Sequence, residues 1–298
     1  STDMKTIFLN PQSCSGLSLS KWEKIKDSIP DLKNYQIVDN FYQLDWGQVQ
    51  INEGDQFISA GGDGTLHSMV NALIASKGLS ALDKISFGHI GLGSNNSFLR
   101  PYAECKMLFD IAMRISDKTE LSDLIEITIN HEKKIYCVAN ASAGFLASAN
   151  LLFNTEKDIA FLKRLNSDAA DVYTFFKALS FWRPMAIAHG NQSIGITNLH
   201  FMKRPYYAAD LGFPEEIPVR NHKFRFNILE ARPKREVLNR FMQMLLFKKF
   251  ENGRDRTEEL SVYHFDSERE IPIEADGEIY FGKNFEIKIC EKGINLCR

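Results

Sequence analysis

The stretch FISAGGDGTLHSMVNAL, residues 57–73, decides how the rest of the chain is read. Phe57 and Ile58 open an apolar run that ends in Ala60-Gly61-Gly62-Asp63-Gly64-Thr65. Leu66, Met69, Val70, Leu73 and Ile74 then recur at helical spacing, so the stretch is strand, glycine turn, helix. Glycines let a backbone turn tightly and approach a ligand closely, because no Cβ intervenes. The following helix aims free N–H groups and its positive dipole end at the turn, which suits an anion such as phosphate. Asp63 makes chemical sense among phosphates when Mg²⁺ or a reacting hydroxyl lies between the charges. The spacing is neither the dinucleotide G-x-G-x-x-G nor the P-loop. The plainer alternative is an ordinary glycine turn with Asp63 as a helix cap.

Two more stretches have the same form. Lys5 to Leu9 is an apolar strand running into Asn10-Pro11-Gln12-Ser13-Cys14-Ser15-Gly16, and a helical pattern follows from Leu19 to Ile29. Tyr35 to Val38 and Asp55 to Ser59 read as the second and third strands. Lys84 to Ile90 makes a fourth, ending in Gly91-Leu92-Gly93-Ser94-Asn95-Asn96-Ser97-Phe98, with a helix expected over Glu104 to Ser116. In an open α/β sheet, ligands bind beyond the carboxyl ends of the strands. The loops at Asn10, Gly61 and Gly91 all emerge on that edge.

Beyond Asp123 the period changes. Leu124–Asn130 and Lys134–Asn140 alternate around a polar turn and form a hairpin signal. Further strands are expected at Met185–Ala188, Gln192–Asn198, Lys223–Leu229, Leu260–Phe265, Ile271–Glu274 and Phe285–Cys290, with helices at Asp168–Phe181 and Lys234–Lys249. The reading is therefore a doubly wound α/β nucleotide-binding domain over residues 1–123, followed by a mostly antiparallel β-sandwich domain over 124–289.

The chain has 298 residues, of which 44% are hydrophobic and 25% charged, and its net charge of −2 gives no sign of a dedicated nucleic-acid binder. Residues 151–250 hold 16 Lys and Arg against 9 Asp and Glu, a net of +7; the other residues hold 20 against 29, a net of −9. A basic middle section suits an anionic membrane surface or simply solvated faces. Five scattered cysteines without a C-x-x-C point to a reducing cytoplasm and no structural zinc or disulfide. No run approaches a signal peptide or a transmembrane helix, so a lipid-directed activity would meet the membrane from the cytoplasmic side.

Three motifs resemble the diacylglycerol kinase catalytic-domain superfamily, specifically its soluble bacterial lipid kinases. Asn10-Pro11-Gln12-Ser13 through Gly16 is similar to the family's N-P-x-S-G loop, Gly61–Thr65 to its G-G-D-G-T, and Leu92–Phe98 to its L-G-T-x-N-D-F. Weaker echoes lie around Gly144-Phe145 and at Asp276-Gly277-Glu278. The resemblance implies an α/β nucleotide domain, completed by the C-terminal segment about 290–298, a β-rich lipid domain, and an active cleft between them. It implies ATP and Mg²⁺ as cofactors and transfer of the γ-phosphoryl group to a lipid hydroxyl on a diacylglycerol-like or sphingoid acceptor. By position, Asn10, Ser13, Gly16, Gly61, Gly62, Asp63, Gly64, Thr65, Gly93, Ser94 and Asn96 would hold nucleotide. Asp63 would serve the Mg²⁺–phosphate region, Glu278 would be the general base, and Asp276 would orient it or share the metal field. A lipid substrate at a membrane surface is the implied partner; a homodimer stays open.

The sequence departs from the family at Leu66-His67-Ser68, where it often has hydrophobic-Asn-Glu, and at Asn96-Ser97, where it has Asn-Asp. Asn221-His222-Lys223-Phe224 aligns with a D-G-x-L element associated with a bound metal in some members, which implies that this chain lacks that metal. NAD kinases share the G-G-D-G turn but also need a later Asn-Glu pair, absent here after residue 53. A non-catalytic nucleotide- or lipid-binding protein is the alternative from a different class. His67 reads as a cap-region or surface histidine, and Tyr173, Phe175, Phe176, Phe181 and Trp182 as core at helical spacing or, with Lys177 and Arg183, a membrane-touching face. Cys14 has no basic neighbour in sequence that would activate it.

Overall fold

A computed structural model describes residues 4–100, 102–208, 211–212, 216–247 and 256–298. The chain forms two compact units, Ser1–Leu124 with Glu291–Arg298, and Ile125–Cys290.

In the first unit the central strands are buried along nearly their whole length, as their apolar runs require. Here β1 (Lys5–Leu9) leads to α1 (Ser18–Ile25) and β2 (Tyr35–Val38), and β3 (Asp55–Gly61) leads to α2 (Asp63–Lys77) and β4 (Ile85–Gly91). The order β2-β1-β3-β4 is parallel throughout, so the loops after β1, β3 and β4 leave from one edge. Ile7, Leu9, Ile58, Ala60 and Ile90 pack on Trp22, Ile25 and Met113. Each such large side chain contributes about 2 kcal/mol by leaving water.

The helix expected over 104–116 is instead a hairpin, β5 (Lys106–Leu108) and β6 (Ile111–Arg114). Phe109 takes φ +56°, which no helix tolerates, and β6 pairs antiparallel with the end of β4. Met107, Leu108, Ile111 and Ile115 fit a helical period, but a strand edge needing backbone partners outweighs that weak preference. α1 is shorter than expected, ending at Ile25 in a 3₁₀ turn over Lys26–Ser28. The unit's antiparallel strand β7 (Thr119–Ser122) follows.

The second unit is built on one nine-stranded antiparallel sheet. Its hairpin β8 (Ile125–Ile129) and β9 (Lys133–Cys137) is succeeded by β10 (Asn140–Gly144), then α3 (Phe145–Thr155), α4 (Lys157–Leu165) and α5 (Ser167–Phe181). The strands β11 (Met185–His189) and β12 (Gln192–Met202) come next, followed by a small ribbon of β13 (Tyr206–Ala208) and β14 (Leu211–Gly212). Then come β15 (Phe224–Glu230), α6 (Lys234–Phe247), β16 (Arg256–Leu260), β17 (Val262–Ala275) and β18 (Glu278–Ile289). The two strands expected at Leu260–Phe265 and Ile271–Glu274 are largely one strand, β17, with an irregularity between Asp266 and Ile271. Lys248 and Lys249, expected to end the last helix, lie outside the described residues.

Two features shape this unit. Phe226 on β15 touches Tyr263 on β17 at 4.2 Å between ring centroids, although β12 and β10 separate those strands in the sheet order. The sheet thus folds over a single core containing Phe201, Phe265 and Phe285. β10 and β11 both lie between β12 and β17, with Gly144 opposite Asn198 and Met185 opposite Ile196. They are one line of strand, interrupted at Gly144, from which α3–α5 loop out. Gly144 has φ +111°, and a Cβ there would lie 2.5 Å from the Thr197 carbonyl oxygen, so glycine is required. Helices α3 and α4, eleven and nine residues long, are additional to the elements read from the sequence.

The last strand, β19 (Ile294–Cys297), belongs to the first unit and pairs parallel with β4 and antiparallel with β7. Among the described residues no helix is long and apolar enough to cross a membrane.

Candidate active site

The loops after β1, β3 and β4 are knitted to one another. The Asn10 amide nitrogen donates to Thr65 Oγ1 at 3.0 Å, and the Asn10 backbone N–H to the Ala60 carbonyl at 2.9 Å. Gly61 accepts from the N–H groups of Leu92 at 2.8 Å and Gly93 at 3.1 Å. The Asp63 carboxylate accepts from the N–H groups of Ser97 at 2.7 Å and Phe98 at 3.2 Å. Asn96, at φ +48°, folds back on its own loop, donating to the Gly91 and Gly93 carbonyls and accepting from the Gly93 N–H. Ser13 Oγ donates to the Asn10 carbonyl.

The glycines serve these joins as much as any ligand. A Cβ on Gly93 would sit 2.4 Å from Gly62 Cα, and one on Gly61 would sit 2.3 Å from Thr65 Oγ1. Gly62 is the N-cap of α2 and brings no side chain to its first-turn N–H groups. The first loop passes through three successive left-handed residues, Cys14, Ser15 and Gly16, at φ +53°, +54° and +87°. Ser94 is exposed, with its Oγ 3.5 Å from Cys14 Sγ.

Lys21 is one residue that sequence reasoning missed. One turn into α1, its ammonium donates to the Leu92 and Gly93 carbonyls at 3.3 Å each and to Cys14 Sγ at 3.8 Å. Cys14 therefore does have a basic neighbour, brought by the helix rather than by the adjacent sequence. No motif marks Lys21; only its place seven residues after Cys14, within two helical turns, offered a signal. His67 is buried, not at the surface, because α2 lies against the sheet on that face. His89 on β4 is fully buried against Ser59 Oγ at 2.6 Å, and burial holds its imidazolium pKa down to about 4.

In the second unit, Asp276 and Gly277 form the two-residue turn between β17 and β18, at φ +49° and +89°. Asp276 is buried, and its carboxylate accepts from the N–H groups of Val138 at 2.7 Å, Ala139 at 2.7 Å and Asn140 at 3.3 Å, and from the Cys137 thiol at 3.2 Å. Burial first, then Asp276, raises the Cys137 thiol well above its ordinary range. Glu278 is exposed at the first position of β18. Glu274, also missed from sequence, braces the turn by accepting from the Gly277 N–H and from Ser142 Oγ.

Asn221 is occupied by a lysine. Lys203 Nζ donates to Asn221 Oδ1 at 3.0 Å and to the carbonyls of Pro218 and Lys223 at 2.7 Å each. An ammonium at the centre of these oxygens does not fit a divalent ion in the same place.

The first-unit edge does fit a phosphate group. It offers an uncapped helix start, glycine backbone with no Cβ in the way, and a nearby ammonium. Among the described residues no group of three or more His, Cys, Asp or Glu gathers as a metal site. That is compatible with Mg²⁺ carried on phosphate oxygens, which needs only one or two carboxylates, and Asp63 is the carboxylate at this edge.

Glycine loops knitted together at the carboxyl ends of three parallel strands give this α/β domain an edge that fits an anion. Residues 5–125 match the diacylglycerol kinase catalytic domain. Over that segment, about two fifths of its length, the chain is similar to that family. Among curated proteins it is similar to the mitochondrial acylglycerol kinase of Mus musculus, 26% identical over 190 residues, covering 59% of this chain and 43% of that protein. The Homo sapiens acylglycerol kinase is 26% identical over 159 residues, 49% of this chain and 37% of that protein. The matched part thus spans less than half the length of these relatives. Among solved structures, a diacylglycerol kinase from Bacillus anthracis str. Sterne covers 99% of this chain and 96% of its own at a TM-score of 0.59 and 13% identity. Two further structures from that strain reach 0.63 at 13% and 14% identity, each covering 99% of this chain and 96% and 97% of their own. At that identity the likeness is one of fold.

Proposed function

We propose that this protein is a lipid kinase that transfers the γ-phosphoryl group of ATP to a lipid hydroxyl, with Mg²⁺. The observation that carries the reading is the joined surface made by the loops after β1, β3 and β4, with the α2 first turn and Lys21 beside it, in the segment that matches the diacylglycerol kinase catalytic domain. Asn10, Ser13, Gly16, Gly61 to Thr65, Gly93, Ser94 and Asn96 shape the nucleotide edge, and Lys21 adds positive charge for the phosphates. Bound ATP and Mg²⁺ supply the phosphoryl group and neutralise its charge. Asp63 fixes the third loop against α2 while presenting a carboxylate to the metal–phosphate region. Phosphoryl transfer asks mainly for positioning and electrostatic stabilisation, which fixed loops provide. Glu278 accepts the proton of the lipid hydroxyl, and Asp276, anchored to the 138–140 backbone, holds the turn that carries it.

A lipid acceptor is favoured over a water-soluble one by α4 and α5. α5 buries Ala170, Phe175, Ala178 and Leu179, yet its outer face carries Val172, Tyr173 and Phe176, 42–47% exposed, and Phe181 at its end is 72% exposed. Phe161 and Leu165 on α4 are 63% and 69% exposed, and Lys157, Arg164 and Arg183 are exposed among them. An aromatic face with interleaved cations suits an anionic membrane interface. The names of the mammalian relatives favour an acylglycerol acceptor.

Asp63 and Asp276 each hold backbone N–H groups of their own unit, and this favours the second reading, a nucleotide- or lipid-binding protein without transfer. Labelled γ-phosphate from ATP is to be followed into a panel of acylglycerols, sphingoid bases and phosphatidylglycerol in mixed micelles, with Asp63→Ala as control. A labelled lipid made by the wild type and not by the control is expected. Measurable ATP binding with no labelled product from any lipid would establish the second reading.

A further inference from the structure

Lys203 follows the end of β12, and its residue is completely buried. An ammonium has three N–H donors and carries a full charge, so burying it is costly unless each donor finds an oxygen. Here each does: the Pro218 carbonyl, Asn221 Oδ1 and the Lys223 carbonyl, all within 3.0 Å. The three acceptors lie within six residues of one loop, so the loop wraps the charge. Asn221 Oδ1 also accepts from the Lys223 N–H at 3.1 Å, which fixes the amide's orientation toward the ammonium. Converging oxygens on a short loop are how proteins hold a free cation.

We propose that the loop over residues 218–223 is a cation site whose cation is the tethered ammonium of Lys203, so that this loop folds without a metal ion. A neutral amide at Asn221 and a lysine at 203 belong together: an amide oxygen accepts readily from an ammonium and is a poorer ligand than a carboxylate for a divalent ion. The site is linked to the Asp276 turn. Asn140 Oδ1 accepts from the Lys203 N–H at 3.2 Å and from the Arg204 N–H at 3.1 Å, and the Asn140 N–H in turn donates to Asp276. The tethered cation thereby steadies the segment behind the turn, independently of whether that turn is catalytic.

Chemical rescue tests this. Lys203→Ala removes the cation and leaves its space; Lys203→Met fills the space without charge. Thermal unfolding is measured for the full chain in ammonium chloride and in tetramethylammonium chloride of equal ionic strength, with and without EDTA. Lys203→Ala is expected to melt on the order of 10 °C below wild type. Ammonium should restore part of that in a saturable manner, tetramethylammonium should not, and Lys203→Met should respond to neither. EDTA should leave the wild-type Tm unchanged. Equal effects of the two salts on Lys203→Ala, a Lys203→Met as stable as wild type, or a wild-type Tm lowered by EDTA would each overturn the proposal. Should Lys203→Ala not fold, NMR of ¹⁵N-lysine-labelled wild type decides: a slowly exchanging Lys203 ammonium signal supports the enclosed cation, and exchange as fast as at surface lysines refutes it.

Discussion

The Ser97 amide donates to the Asp63 carboxylate over 2.7 Å, joining residues 34 apart in sequence. Asp63 therefore fastens the third loop to the start of α2. Asp63→Asn keeps one acceptor oxygen and turns the other into a donor facing an N–H. We expect kcat to fall at least about a hundredfold, the scale of a lost transition-state electrostatic group. An unchanged kcat, measured by lipid phosphorylation, removes Asp63 from the mechanism and leaves it a loop clamp.

Lys21→Met deletes the ammonium that bridges the first helix and the Leu92 and Gly93 carbonyls. Charge-assisted hydrogen bonds contribute about 1.5–3 kcal/mol, so the KM for ATP should rise about tenfold or more. The loop keeps its Asn96 clamp, and the fold should persist. An ATP titration with unchanged affinity would take Lys21 out of the nucleotide edge.

Glu278→Gln should preserve ATP affinity and lower kcat by about a hundredfold or more, as expected when a general base is lost. Calorimetric ATP binding beside lipid turnover separates the two effects. Equal turnover by the variant would make Glu278 an ordinary exposed carboxylate.

Stability should fall with acid because of His89. Its folded pKa of about 4 lies below the ordinary 6.5, so between those values the unfolded chain binds a proton that the folded chain refuses. The sign is thus loss of stability as pH falls from 6.5 toward 4, worth about 3 kcal/mol for this one group. His89→Gln should flatten the Tm profile across that window relative to wild type. Parallel profiles for the two proteins would refute the assignment.

Phe176→Asp with Phe181→Asp should weaken sedimentation with phosphatidylglycerol vesicles severalfold while sparing activity on a short-chain, monomerically dispersed acylglycerol. Both residues are exposed, so the Tm should change little. Unchanged vesicle binding would mean that this face does not meet lipid.

What the sequence determined by itself is whatever depends on near neighbours. The apolar runs before Asn10, Gly61 and Gly91 state parallel buried strands, and Gly61–Thr65 states the turn into α2, because strand burial, turn sterics and helix spacing are all local. The exposed aromatics of α5 show the limit of such reading: helical spacing identified the helix, but which of its faces meets the core depends on what packs there. The 104–116 segment failed for a related reason, since the open edge of β4 claimed β6 as a partner. The polar joins were out of reach altogether. Ser97 with Asp63, Lys21 with Leu92 and Gly93, Val138 with Asp276, and Lys203 with Asn221 pair residues 18 to 138 positions apart. A hydrogen bond depends on a distance of about 3 Å and on direction, and only the folded backbone brings such groups within that range.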